Sequence, residues 1–123
     1  MSAAMYRILY VDDDGDLRFL VQHQLTEAGH AVITAEDGER AIEIIDGESF
    51  DLILLDIKMP RKNGLDVLKY LKAKATRPRV IMLTGVEDVS VAIKAVKLGA
   101  NDYITKPYRM ETLLECMHRV LAR

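Results

Sequence analysis

Residues 7–29 read RILYVDDDGDLRFLVQHQLTEAG, and this stretch decides the fold. Arg7–Val11 is an apolar run rich in β-branched and aromatic residues. Three aspartates follow, and then apolar residues recur at helical spacing. Leu17, Leu20, Val21, Leu25 and Ala28 fall on one face of a helix expected from about Gly15 to Ala28, with Gly29 just past its end. The same strand-then-helix unit recurs four more times. Ala31–Ala35 precedes a helix near Gly38–Asp46, with Ala41, Ile44 and Ile45 facing inward. Leu52–Leu55 precedes a loop with Pro60 and a helix from about Leu65 to Ala73. Val80–Leu83 leads to a helix near Val89–Leu98, closed by Gly99. Tyr103–Thr105 leads to a helix from about Arg109 to Leu121, striped by Met110, Leu113, Leu114, Met117, Val120 and Leu121.

Strands that are apolar throughout, with little alternation, must be buried on both faces. A parallel sheet covered by helices on both sides provides that burial, so the class is α/β. Five units fall short of the roughly eight that a closed barrel needs. Right-handed crossovers leave few topologies, and the flavodoxin-like doubly wound order 2-1-3-4-5 is expected.

Composition agrees with a globular chain. At 123 residues, 50% hydrophobic and 29% charged, it fits one domain over residues 1–123 with a real core, and with no output domain in the chain. One cysteine excludes an internal disulfide framework and a cysteine-based zinc cluster. No apolar run approaches the ~20 residues of a membrane span, and no export signal is visible, so a cytoplasmic location is expected. The net charge of −2 conceals an asymmetry. Residues 1–60 hold 13 acidic and four basic residues, a charge of −9, whereas residues 61–123 hold six acidic and 13 basic, a charge of +7.

In open α/β sheets the functional crevice lies at the carboxyl ends of the strands. After the first strand come Asp12, Asp13 and Asp14; after the third, Asp56; after the fourth, Thr84; after the fifth, Lys106 and Pro107. The first and third strands are neighbours in the expected order, which gathers Asp12, Asp13 and Asp56. Clustered carboxylates repel one another unless a cation sits among them. An all-oxygen set suits a hard cation such as Mg²⁺. With Lys106 and the Thr84 hydroxyl added, the set can handle a phosphoryl group, and an aspartate can itself be the nucleophile. Singly, each residue has a plainer role. Asp14 can cap the first helix, Asp56 can cap or turn, Thr84 can end a strand, and Lys106 can be solvated.

The segments ILYVDDD (8–14), LLDIKMPRKNG (54–64), IMLTG (81–85) and DYITKP (102–107), in that order and spacing, resemble the receiver domain of bacterial two-component response regulators over essentially the whole chain. The resemblance implies a phosphorylation-dependent signalling switch in a phosphorelay, not a classical enzyme. Asp56 would accept a phosphoryl group from a sensor histidine kinase or phosphotransfer protein. Asp12, Asp13, Asp56 and the backbone carbonyl of Lys58 would hold Mg²⁺, Asp12 through water. Lys106 would pair with phosphoryl oxygens, and the Lys106–Pro107 bond would be cis. Thr84 and Tyr103 match the family's switch pair: the Thr84 hydroxyl moves to the phosphoryl group, and the Tyr103 ring turns into the vacated space. The face built by the fourth helix, fifth strand and fifth helix would then engage an output domain or downstream protein, or a second copy in a phosphorylation-dependent homodimer. Lys58 and Val86, at positions that tune phosphoryl lifetime in the family, offer no base to attacking water, so a moderately long-lived aspartyl phosphate is expected.

The competing reading is a haloacid-dehalogenase-like phosphatase with Asp12 as nucleophile. Asp12-x-Asp14 fits its DxD signature, but Asp16 stands where a threonine is usual, and Asp56 is left without a role. His23, His30 and His118 show no metal-ligand spacing and are expected at the surface or an edge. Cys116 is expected to be a small hydrophobe or partly exposed thiol. No nucleotide-binding motif occurs, and the basic residues lack a helix-turn-helix context, so neither membrane nor direct nucleic-acid binding is expected.

Overall fold

The computed structural model describes residues 5–74 and 77–123. Along them run β1 (Arg7–Val11), α1 (Gly15–Glu27), β2 (Ala31–Ala35), α2 (Gly38–Gly47), β3 (Leu52–Asp56), α3 (Gly64–Lys72), β4 (Arg79–Thr84), α4 (Val89–Lys97), β5 (Asp102–Thr105) and α5 (Met110–Leu121). The five strands are parallel and ordered β2-β1-β3-β4-β5, the flavodoxin-like arrangement. Val11 pairs with Leu55, so the residues that follow β1 stand level with the end of β3.

The sheet divides two cores. On one face Leu9, Val11, Ile53, Leu55 and Met82 pack against Ala41 and Ile44 of α2, Val67 and Leu71 of α3, and Ala92 and Ala95 of α4. On the other, Ile8, Tyr10, Leu54, Ile81 and Ile104 pack against Val21 and Leu25 of α1 and Leu113, Met117 and Val120 of α5. Alternate residues of each strand serve opposite cores, which is why the strands read as unbroken apolar runs.

Side chains at the helix entries cap the first three helices, whereas α4 and α5 start without a side-chain cap. The Asp14 carboxylate accepts from the Asp16 and Leu17 N–H groups at the head of α1. Asp37 accepts from Arg40 N–H at α2, and Asn63 and Asp66 form a reciprocal capping box at α3.

The structure departs from the sequence reading in several places. Ala28 is exposed and stands just past the end of α1. Asp56 and Thr84 are the last residues of their strands, not the first residues beyond them. A single 3₁₀ turn, Val86–Asp88, precedes α4. Leu20 of α1 is 49% exposed: its neighbour Val21 points into the core, and the ~100° step of a helix turns Leu20 away. His30 is buried rather than at the surface, because its ring Nδ1 accepts the Tyr6 N–H at 3.2 Å.

Gly64 shows how tightly the β3–α3 connection is drawn. A Cβ there would overlap the Asp56 carbonyl oxygen and lie 3.0 Å from Ile57 Cα, both backbone atoms that cannot swing aside. Gly64→Ala is expected to lower stability by about 1–3 kcal/mol, the usual range for overpacking. Urea unfolding checks this, and an unchanged midpoint contradicts it.

Candidate functional site

The chemistry-bearing residues converge where β1 and β3 end. Asp12 is fully buried. Its Oδ1 accepts the Asp14 N–H at 3.0 Å, and its Oδ2 accepts the Tyr10 hydroxyl at 2.9 Å and Lys106 Nζ at 2.8 Å. Asp56 is 5% exposed, and its Oδ2 accepts from the same Lys106 Nζ at 3.0 Å. Lys106 therefore bridges two buried carboxylates from the end of β5. Asp13 is exposed, yet one oxygen from each of Asp12, Asp13 and Asp56 lies within 4.8 Å of the others. Three carboxylates at that spacing, with one lysine among them, keep an excess of negative charge. That donor set fits a hard divalent cation.

The remaining site residues frame this cluster. Asp14 is occupied with the head of α1. Thr84 is buried, and its hydroxyl donates to the Gly85 carbonyl at 3.0 Å. Tyr103 is half-buried and packs on the α2–α3–α4 core. Thr84 pairs with Thr105, two residues beyond Tyr103, so Thr84 and Tyr103 share one sheet face on adjacent strands. Lys58 is exposed, with its Nζ 3.6 Å from the Asp88 carboxylate. With Asp13, Pro60 and Asn63 it lines a cleft of about 580 Å³ at the mouth of the site. Val86 is 69% exposed. The Lys106–Pro107 peptide bond is cis.

Burial pushes the Asp56 carboxyl up to about 7; the Lys106 charge opposes this and the Asp12 charge adds to it. Burial works against the Lys106 ammonium, but its hydrogen bond to Asp12 and the charges of Asp56 and Asp12 outweigh that and hold its pKa above the usual value. Because the Asp56 pKa is raised on folding, the native state binds more protons than the unfolded chain between about pH 4 and 7. This group's contribution to stability is thus greatest below pH 4 and declines as pH rises through 7. Metal-free protein is expected to lose up to a few kcal/mol of unfolding free energy across that window. Asp56→Asn should flatten the slope in urea unfolding with a chelator present. An Asp56→Asn slope equal to that of the original chain contradicts the assignment.

The other titratable candidates stand apart. His23 and His118 are exposed, and His23 sits 3.2 Å from Glu27. Burial, with His118 nearby, lowers the His30 pKa. Cys116 is buried in the α1–α5 core, and burial raises its thiol to about 11, which leaves it unreactive.

Residues 8–118 match the family model described as the response regulator receiver domain. The chain belongs to the response-regulator receiver family. Within that family it is 42% identical over 119 residues to the transcriptional regulatory protein CpxR of Escherichia coli (strain K12), covering 97% of this chain and 50% of CpxR. It is 36% identical to the response regulator MprA of Mycolicibacterium vanbaalenii, covering 95% of this chain and 51% of MprA. The chain thus spans about half the length of these curated relatives. Among solved structures, the chemotaxis response regulator CheY4 of Vibrio cholerae superposes with a TM-score of 0.88 at 32% identity, covering 95% of this chain and 99% of that one. NtrX from Brucella abortus gives 0.90 at 33% identity, covering 97% of this chain and 27% of NtrX.

These matches lend no support to a haloacid-dehalogenase-like phosphatase. The geometry of this receiver domain also disfavours Asp12 as nucleophile, since three donors already engage its two oxygens. Two residues of the cluster escaped the sequence reading, Tyr10 and Tyr108. The Tyr10 hydroxyl, buried between Tyr108 and Asp12, has its pKa raised first by that burial and then by these two neighbours. The available signal was strand parity: Tyr10 lies two residues before Asp12 and so on the same sheet face.

Proposed function

We propose that this domain is a phosphorylation-dependent switch whose phosphoryl acceptor is Asp56. The observation that carries the proposal is the bridge of Lys106 Nζ between the buried Asp12 and Asp56 carboxylates, with Asp13 beside them. Asp13, Asp56 and the Lys58 carbonyl would hold Mg²⁺ directly, and Asp12 through water. When bound, Mg²⁺ neutralises the carboxylates and the incoming phosphoryl oxygens.

In the transfer step an Asp56 oxygen forms a bond to the phosphorus of a phosphohistidine on the partner. The N–P bond breaks, its electron pair stays on the imidazole, and an acyl phosphate remains on Asp56. Lys106 then offers its ammonium to a phosphoryl oxygen instead of to the Asp56 carboxylate. The Thr84 hydroxyl exchanges its bond to the Gly85 carbonyl for one to another phosphoryl oxygen, and Tyr103 turns into the space it leaves. A local charge change thereby biases the packing of α4, β5 and α5.

The donor is a sensor histidine kinase or phosphotransfer protein. The recipient of the signal is an output domain or downstream protein, with phosphorylation-dependent homodimerisation on the α4–β5–α5 face. The domain spans residues 1–123; residues 1–4, 75 and 76 lie outside the described part. Beyond accepting and slowly losing its phosphoryl group it is not an enzyme, and it binds neither membrane nor nucleic acid itself. Among the described residues no helix is long and apolar enough to cross a membrane. The cytoplasm is the compartment of this reading. Lys58, drawn toward Asp88, and the inert Val86 leave attacking water without a base, so the acyl phosphate should outlast a few seconds.

Nuclear magnetic resonance with Mg²⁺ and beryllofluoride, a phosphoryl mimic, tests the switch. Amide shifts should spread from Asp56 through Thr84 to Tyr103 and α4, with light scattering reporting any dimer. Shifts confined to the loops around Asp12 and Asp56 contradict it.

A further inference from the structure

Tyr10 and Asp12 lie on one face of the sheet, and Tyr10 is fully buried. Its hydroxyl oxygen is 2.9 Å from Asp12 Oδ2 and 2.7 Å from the Tyr108 hydroxyl. An ionised carboxylate only accepts, so the Tyr10 O–H donates to Asp12 and its oxygen is left to accept from Tyr108. The direction of the relay is fixed: Tyr108 to Tyr10 to Asp12. Lys106 Nζ donates to the same Asp12 oxygen and also to Asp56. Tyr108 follows the Lys106–Pro107 bond and immediately precedes Arg109, the N-cap of α5.

We propose that Tyr10 is a positioning residue for the carboxylate cluster, and that Tyr108 holds it in that role. The proposal rests on the reading of the cluster as a Mg²⁺ site. Asp12 is fully buried, so the orientation of its carboxylate is set by its three donors and not by solvent. The Tyr10 hydroxyl takes up part of the charge on Oδ2, and this moderates the pull of Asp12 on Lys106. Without that hydroxyl, Lys106 is drawn toward Asp12, competes with the cation there, and leaves Asp56. The carboxylate is also freer to rotate. Partners that orient a metal's ligands commonly change metal affinity by about 10–100-fold when removed. Linkage makes the effect reciprocal: a bound cation favours the Tyr10–Asp12 hydrogen bond by the same factor, and through it the contact with Tyr108 at the head of α5.

The test is calorimetric titration with Mg²⁺ of the whole chain, Tyr10→Phe, Tyr108→Phe and the double variant. Both substitutions keep the ring, and the double variant removes both hydroxyls so that neither is stranded. Tyr10→Phe should raise the Mg²⁺ Kd about tenfold. Tyr108→Phe, acting only through Tyr10, should raise it by a smaller factor of about two to three. The double variant should match Tyr10→Phe, because the relay is already broken there. If Tyr10→Phe does not fold, the double variant supplies the same Kd. A Tyr10→Phe or double-variant Kd within about twofold of the original chain, with only thermal stability lowered, overturns the positioning role. Additive losses in the double variant overturn the relay through Tyr108. No Mg²⁺ heat from the unsubstituted chain overturns the metal reading itself, an outcome distinct from an unchanged variant.

Discussion

Asp56→Asn is expected to abolish phosphoryl uptake from acetyl phosphate and Mg²⁺, a loss of roughly 10³-fold or more, the scale on which removing a nucleophile acts. The amide is nearly isosteric, so the β3 end and its contacts with α3 should persist. It has neither the charge nor the free lone-pair density to attack phosphorus. It also removes a buried carboxyl whose pKa is raised to about 7, so the metal-free variant should be no less stable at neutral pH than the original chain. Intact-mass measurement after incubation reads the first effect and urea unfolding the second. A phosphorylated Asp56→Asn protein means that another carboxylate is the acceptor.

Lys106→Met is expected to separate catalysis from metal binding. Lys106 Nζ lies 2.8 Å from Asp12 and 3.0 Å from Asp56, so its removal strips the transferring phosphoryl group of its fixed positive partner. Losing one such donor typically slows reaction by about 10²–10³-fold, and phosphoryl uptake should fall on that scale. Mg²⁺ binding should survive and tighten, because the lysine no longer competes for oxygens of Asp12 and Asp56. The metal-free variant leaves two buried carboxylates without their shared counter-charge, and it should lose about 3–5 kcal/mol of stability. Calorimetry and phosphorylation rates on the same preparation check this. Loss of Mg²⁺ binding in Lys106→Met would mean that the lysine builds the metal site instead of sharing it.

Much of this architecture could be read from local pattern. Arg7–Val11 and Ala31–Ala35 are strands within the bounds that their apolar runs suggest, although only Ile8–Val11 are buried throughout and the edge strand Ala31–Ala35 is mostly half-buried. The convergence of Asp12, Asp13 and Asp56 followed from placing the first and third strands side by side. What local pattern did not supply depended on neighbours distant in the chain. Leu20 looked like a core residue because it sits at helical spacing, yet α1 buries only a narrow stripe around Val21 and Leu25. His30 is buried because Tyr6, 24 residues away, presents an N–H to its ring. Tyr10 read as one more apolar strand residue, since the partners that give its hydroxyl a purpose come from residues 12 and 108. The charge asymmetry between the two halves of the chain acquires a partial meaning in the same way. The acidic half supplies the carboxylate cluster, and the basic half supplies a close counter-charge, Lys106.

The most direct test of the account is to locate the phosphoryl group. The chain is incubated with acetyl phosphate and Mg²⁺, the acyl phosphate is reduced with borohydride, and the converted residue is mapped by peptide mass spectrometry. The account predicts conversion at Asp56. Conversion at Asp12 with Asp56 intact contradicts it.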